Sequence, residues 1–355
     1  MSKFEQNAAN RHKTRVNPAC DWHASEIIYY GQMKSKLITA VPVRNGATTI
    51  VRTLDSIANS TMLPDRVVVQ NNSSTDNTKE IVMAYKRLKI EWVENGADTL
   101  SIGNFNRALD ELSDQTEYLH LLCADDMISP RFYEKLIKEL EDCPGYGMAY
   151  SLDERVDDDD QHLSYSAKNT GTVDVIPLDD YLHAKAEISN QAVSGTLLKT
   201  AYQKPAAKLR NFIVMWDTEF HAEWATHSKK IVRVNEYLSQ FRWHGANGTL
   251  DWTTTIEPSV IDEWRVMQVV EKMRKKKPGF IRDFKLRGIF AVRSGIKAMR
   301  YRQNGSPDYA RKIVEGSKNI TGSSAWYMAQ FVVQVRELLV YKIGGRRRHP
   351  KNFYS

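Results

Sequence analysis

The chain has 355 residues, 42% apolar and 26% charged, an ordinary globular composition with room for one large domain or two small ones. Three scattered cysteines (Cys20, Cys123, Cys143) exclude a disulfide framework or a cysteine-based zinc site and suit reduced thiols in the cytosol. The polar N-terminus has no apolar signal core, and no run of about 18 uncharged apolar residues exists to form a membrane-spanning helix. The net charge of +7 is unevenly placed: residues 261–355 hold 22 Lys/Arg against 7 Asp/Glu, a balance of +15 that leaves −8 for the rest. Such a basic piece suits an anionic partner, whether a phospholipid surface, nucleic acid or a phosphorylated acceptor; the plainer reading is a solvated helical surface.

Residues 1–35 read as an arm with one short helix near Ala24–Tyr30. LITAVPV (Leu37–Val43) is a buried strand running into a loop, and Ala47–Ser60 places Ile50, Leu54 and Ile57 at helical spacing. RVVVQ (Arg66–Gln70) is a second strand, Thr78–Leu88 a helix, Lys89–Val93 a third strand, Ile102–Leu112 a helix, Tyr118–Cys123 a fourth strand and Pro130–Glu141 a helix. This alternation predicts βαβ crossovers and a mostly parallel sheet. Ligands bind such sheets beyond the C-terminal strand ends. The loops there are Pro42–Gly46, Asn71–Thr78 and Ala124–Ser129. Gly147–Tyr150 reads as a further strand, the acidic run Asp153–Asp160 as a solvated hairpin or loop, and the chain beyond Ile261 as helices.

Asp125 and Asp126 directly follow the fourth strand. Adjacent carboxylates at a strand end are costly unless solvated, paired or bound to a cation. Hard cations take oxygen ligands and share them with substrate phosphates. A helix cap is the other reading, although Ser129 before Pro130 can fill that role alone.

VPVRNG (Val41–Gly46), NNSSTDNT (Asn71–Thr78), NFNRAL (Asn104–Leu109) and LHLLCADD (Leu119–Asp126) occur in this order. Together they resemble the family 2 glycosyltransferases over about Lys36–Thr249. FIVMWDTEFHAEWA (Phe212–Ala225) resembles that family's acceptor-side segment, and YLSQFRWHGANG (Tyr237–Gly248) its closing element. The resemblance implies an α/β GT-A fold, Rossmann-like, with a mostly parallel central sheet flanked by helices and a helical C-terminal extension. The expected division is an arm at 1–35, a catalytic domain at 36–255 and a basic helical region at 256–355.

The same resemblance implies a nucleoside-diphosphate sugar as donor, a UDP-sugar above all, a divalent metal (Mn2+ or Mg2+) and an inverting transfer to a hydroxyl acceptor, a glycan or lipid-linked one among the candidates. Pro42, Arg44, Asn45, Asn71, Asn72 and Asp76 would line the base and ribose pocket; Asn104 and Asn106 would close the nucleotide or sugar side. Asp125 would contact ribose or sugar hydroxyls, and Asp126 would be the principal metal ligand, with His244 a further one. Arg242 would stabilise the departing diphosphate. Asp217 is the expected general base, with Glu219 second; Trp216 would wall the sugar or acceptor, and Gly195 would let a loop approach the acceptor closely.

Three positions depart from the family pattern: Asn71 stands where an aspartate is usual, Cys123 where an acidic run often begins, and Arg44 where an aromatic is common. The candidate helix Ala325–Ile343 runs into GGRRRH (Gly344–His349). It suits an anionic membrane face or packing on the catalytic domain. The expected enzyme is cytoplasmic or peripheral on the membrane; a DNA-modifying transferase acting on hydroxylated bases and a non-catalytic sugar-nucleotide or glycan binder are the alternatives.

Overall fold

The computed structural model describes residues 35–96, 101–142, 145–188, 191–202, 215–228, 230–243, 256–275, 279–303, 305–322, 326–327 and 330–331. The expected helix at Ala24–Tyr30, His244, the GGRRRH run and most of the expected Ala325–Ile343 helix lie outside them.

The strands are β1 (Ser35–Val43), β2 (Arg66–Asn71), β3 (Ile90–Glu94), β4 (Thr116–Leu121), β5 (Met127–Ile128), β6 (Tyr146–Val156), β7 (His162–Tyr165), β8 (Val173–Pro177), β9 (Thr196–Lys199) and β10 (Lys230–Arg242). The helices are α1 (Ile50–Ala58), α2 (Thr78–Ala84), α3 (Ser101–Leu112), α4 (Phe132–Asp142), α5 (Leu178–Ala186), α6 (Trp216–Ala225), α7 (Ile256–Met273), α8 (Phe280–Gln303) and α9 (Pro307–Thr321).

One mixed sheet runs in the order β3-β2-β1-β4-β9-β6-β10-β5, with β7 on β6 and β8 on β10. Its first four strands are parallel, as the alternating βα units require. The short β9 then enters antiparallel between β4 and β6. Because β1 is central, both its faces are covered: Ile38 and Ala40 join one apolar cluster, while Leu37, Val41 and Val43 join the other. This two-sided burial explains why LITAVPV is continuously apolar rather than alternating. On one face Ile50, Leu54 and Ile57 of α1 and Phe132, Leu136 and Leu140 of α4 seal the sheet. On the other, α3, α5 and α6 share a single cluster with α7, α8 and α9, so the C-terminal helices pack into the core of the sheet domain.

The acidic run forms a hairpin, β6 to β7, as expected, but its start is not solvated. Strand β6 continues through Asp153–Val156, because β10 pairs with it as far as Arg242↔Val156. Only Asp157–Asp160 forms the exposed turn into β7, and Asp153 is buried at 4% exposure. Helix α2 is shorter than its periodicity predicts: Tyr85 turns extended, and its hydroxyl donates to Asp55 at 2.7 Å.

His120 of β4 is fully buried, with Nδ1 3.0 Å from the Tyr133 hydroxyl and Nε2 2.8 Å from the Ser194 carbonyl. Burial brings its pKa down to about 4, against the bond to Ser194. The folded state therefore binds fewer protons than the unfolded chain between about pH 4 and 6.5. Stability from this group is full above pH 6.5 and is lost as pH falls to 4, by about 3 kcal/mol. Urea midpoints measured across that range are expected to fall steeply in the wild type and less so in His120→Gln.

Candidate functional site

The strand ends set the site. Val43, Asn71 and Glu94 align across β1, β2 and β3 at their C-terminal edge. The loop after β1 is laced to the loop after β2. Asn45, in the left-handed region at φ 51°, accepts the Thr75 N–H at 2.8 Å, and its own N–H donates to the Ser74 hydroxyl at 2.9 Å. Asp76 accepts the Ala47 and Thr78 N–H groups, each at 3.1 Å. These side chains thus hold the loops' shape; Pro42 and Asn72 are buried within them, and Arg44 is exposed at the rim. Asn104 is buried, donates to the Gln70 carbonyl at 3.0 Å and accepts from Asn95, which clasps α3 to the end of β2. Asn106 lies half-buried one position past Phe105.

Asn71 lacks the carboxylate usual at its position, but the neighbouring strand supplies one. Its amide donates to Glu94 at 2.7 Å. Lys79 and Trp92 also donate to Glu94, each at 2.8 Å. The bonds from Lys79, Asn71 and Trp92 bring the Glu94 carboxyl down to about 2, so it is charged at neutral pH.

Beyond β4, Asp126 is 1% exposed. Its Oδ2 accepts the Ser194 hydroxyl at 2.6 Å and its Oδ1 the Arg242 N–H at 2.9 Å. Ser194 accepts in turn from the Cys123 N–H at 3.1 Å. Ligand atoms of Cys123, Asp125 and Asp126 all lie within 4.8 Å of one another. Burial, then the Asp125 charge, pushes the Asp126 carboxyl well above the usual range. Burial and the two carboxylates push the Cys123 thiol up as well, which keeps it protonated and a poor ligand for a hard cation. Two carboxylates whose mutual repulsion disfavours double ionisation fit a divalent cation, because its charge removes that penalty.

Arg242 lies against the acidic pair, with its guanidinium engaged by the protein itself. It is 1% exposed, and its guanidinium donates to the Asp125 carbonyl at 3.1 Å and the Asp157 carbonyl at 2.7 Å, and pairs with Asp160. It is therefore a clamp that ties the β6–β7 turn to the end of β4, because a buried guanidinium must fill its donors. A 310 Å³ cavity nearby, lined by Arg52, Asp55, Met127 and Gln240 among others, contains neither Asp125 nor Asp217 in its wall.

The second half of the site is the start of α6. Met215 takes a left-handed φ of 62° and turns the chain into the helix, placing Asp217 in its first turn. Asp217 Oδ1 accepts the Thr218 N–H at 2.8 Å. Burial raises its carboxyl above the usual range, and the Lys185 charge opposes that rise. Lys185, on α5, is 1% exposed. Burial brings its amine down to about 8 against the charges of Asp217 and Asp153. Asp153 in turn acts on Asp126. Lys185 thus feels the charges of both Asp153 and Asp217.

Trp216 lies half-buried with its ring 5.3 Å from that of Phe105, bridging α6 to α3. Glu219 is buried at 1% exposure on α6, as is His221, held neutral first by burial and then by Lys185. At Gly195 a Cβ would stand 2.7 Å from the Ser239 hydroxyl, so glycine is needed for packing against β10.

The sequence of this region matches a known family. Residues 39–171 fit the model described as glycosyl transferase family 2. Residues 39–171 carry a family 2 glycosyltransferase domain. Comparison with curated proteins finds no match. Among solved structures, this glycosyltransferase is similar in fold to S. aureus TarS 1–349 in complex with UDP-GlcNAc (15% identity, TM-score 0.52, covering 80% of this chain and 92% of that one). It is similar also to the mannosyltransferase PcManGT from Pyrobaculum calidifontis in complex with GDP-Man and Mn2+ (18% identity, TM-score 0.50, covering 88% of this chain and 82% of that one). At these identities the likeness is one of fold, and that fold is GT-A with a helical C-terminal region.

Sequence reasoning missed Glu94, Asp153, Lys185 and Ser194 of this glycosyltransferase. Lys185 had a signal: it shares a helix face with Tyr181 and Leu182, both buried, and a lysine on an apolar stripe needs a buried anion. Glu94 had none, because its pairing with Asn71 exists only through the sheet register.

Proposed function

We propose that this glycosyltransferase moves a sugar from a nucleoside-diphosphate donor to an acceptor hydroxyl with inversion, using a divalent cation at Asp125–Asp126 and Asp217 as general base. The observation that carries this reading is the buried Asp126 beside Asp125 directly after β4, their ligand atoms and that of Cys123 all within 4.8 Å of one another. The donor class is supported by the nucleotide sugars in complex with the two structurally similar proteins.

The acidic pair differs in environment. Both Asp126 oxygens already accept hydrogen bonds from Ser194 and Arg242, whereas Asp125 is only half-buried. Each Asp126 oxygen keeps a second lone pair for a cation, so Asp126 remains a ligand fixed by its partners, with Asp125 beside it. Pro42, Arg44, Asn45, Asn71, Asn72 and Asp76 shape the nucleotide side, and Glu94 supplies the carboxylate beside Asn71 that an amide alone lacks. A bound cation supplies positive charge against the departing diphosphate.

Asp217 takes the proton of the acceptor hydroxyl as its oxygen bonds to the anomeric carbon; the bond to the diphosphate breaks, and its electron pair leaves with that group. Burial raises the Asp217 carboxyl and so makes it a stronger base than a free aspartate, while the Lys185 charge opposes that rise.

The test is release of nucleoside diphosphate from a panel of UDP- and GDP-sugars. Chelation by EDTA is expected to lower turnover about a hundredfold, with Mn2+ or Mg2+ restoring it. Full turnover after chelation would remove the metal from the mechanism.

A further inference from the structure

The first turn of α8 is arranged against the usual pattern of a core-packed helix. Its apolar side chains face out: Phe280 is 85% exposed, Ile281 83% and Phe284 51%. Its inward position is a cation. Arg282 donates to Glu271 at 2.8 Å and 3.1 Å, lies 3.1 Å from His183, and pairs with Glu187. Arg274 joins the same network through Glu271 at 2.8 Å and Asp179 at 3.1 Å. Further along, Leu286 and Phe290 return to the buried face. The rotation of α8 is thus fixed by charge at its start and by packing beyond, and the outward face of that first turn is held outward.

That face is one patch, not three scattered side chains. The Phe280 and Phe284 rings are stacked with centroids 6.4 Å apart, and Ile281 adjoins them on the same turn. Exposed lysines stand before and after it in the chain, at 272, 275 and 285, the last paired with Glu187 at 2.6 Å. From Lys272 to Lys285 the sequence carries seven Lys/Arg against the single carboxylate of Asp283, which pairs with Arg287 at 2.7 Å. An outward apolar tip in a cation-rich stretch of chain complements an anionic bilayer: the rings and Ile281 enter the boundary between headgroups and acyl chains, while lysine stems reach out to phosphates. No helix among the described residues is long and apolar enough to cross a membrane, so contact would be at the surface.

From this arrangement we infer that Phe280, Ile281 and Phe284, with Lys272 and Lys275, form a docking tip for an anionic lipid surface. The tip is rigidly joined to the catalytic half, since α7 and α8 share the core cluster of α5 and α6. The inference stands apart from the donor, metal and base assignments.

The full chain is spun with vesicles of phosphatidylcholine alone and with vesicles of equal parts phosphatidylcholine and phosphatidylglycerol. It is expected to pellet with the anionic vesicles, to stay in solution with the neutral ones, and to be released by salt. The variant Phe280→Ser/Ile281→Ser/Phe284→Ser is expected to lose anionic binding by about tenfold or more, with an unchanged urea midpoint because these side chains already face solvent. Lys272→Glu/Lys275→Glu is expected to weaken binding in the same direction. Wild-type protein that ignores anionic vesicles, or a triple variant that pellets as well as wild type, overturns the inference. So does a triple variant with a lowered midpoint or a smaller oligomer, since the face would then be covered by another part of the chain or by a second copy.

Discussion

Asp217→Asn is expected to lower turnover by about 10³-fold while leaving donor binding unchanged. An amide keeps the size and the Thr218 N–H contact of the native side chain, but it cannot accept the acceptor's proton. The loss should therefore fall on the chemical step, with the donor's dissociation constant, read by thermal shift in Mn2+, held near the wild-type value. The competing carboxylate is Glu219, two residues on and 1% exposed. Glu219→Gln should affect folding more than turnover. If Asp217→Asn turns over at the wild-type rate, the base is another group and the assignment fails.

The second large effect concerns stability. Glu263 of α7 is 1% exposed and meets Arg293 of α8 at 2.5 Å, with Lys297 on its other oxygen. Burial by itself would raise this carboxyl; the Lys297 and Arg293 charges outweigh it and bring it down to about 2. Glu263→Ala leaves both cations facing an emptied, low-dielectric space and is expected to cost about 3–5 kcal/mol. Urea unfolding should show the loss as a lower midpoint at unchanged slope. The pH dependence has a definite sign: a depressed carboxyl stabilises fully above about pH 4.5, and that contribution is lost as pH falls toward 2. The same acid titration should lose this component in Glu263→Ala. A variant as stable as wild type would mean that the α7–α8 contact rests on Trp264 and Phe290, whose rings lie 5.5 Å apart, rather than on the ion cluster.

Much of the architecture was legible because local rules and the fold agree. Leu37–Val43, Arg66–Gln70 and Tyr118–Cys123 read as buried strands and are β1, β2 and β4, since a parallel sheet covered on both faces demands continuous apolar runs. The helices between them showed their buried stripe directly, as in Ile50, Leu54 and Ile57. Strands β7 and β8 were not legible. HLSY and VDVIP are mostly partly exposed or exposed, and both exist because β6 and β10 offer edges to pair with. The run Asp153–Asp160 misled for the same reason: composition suggested solvent, but pairing with β10 carried Asp153 indoors.

For the site, the amino-acid sequence by itself determined the family and the strand-end loops, and it pointed to Asp125, Asp126 and Asp217 as the carboxylates of interest. Those are matters of residue type and order along the chain. Only the tertiary structure decided what each group is free to do. It gave both oxygens of Asp126 to Ser194 and the Arg242 N–H, spent the Arg242 guanidinium on the Asp157–Asp160 turn, and set Lys185 near Asp217. The physical reason is that burial and hydrogen-bond partners come from segments distant in sequence, and these, as much as residue type, set the charge and the contacts of each carboxylate.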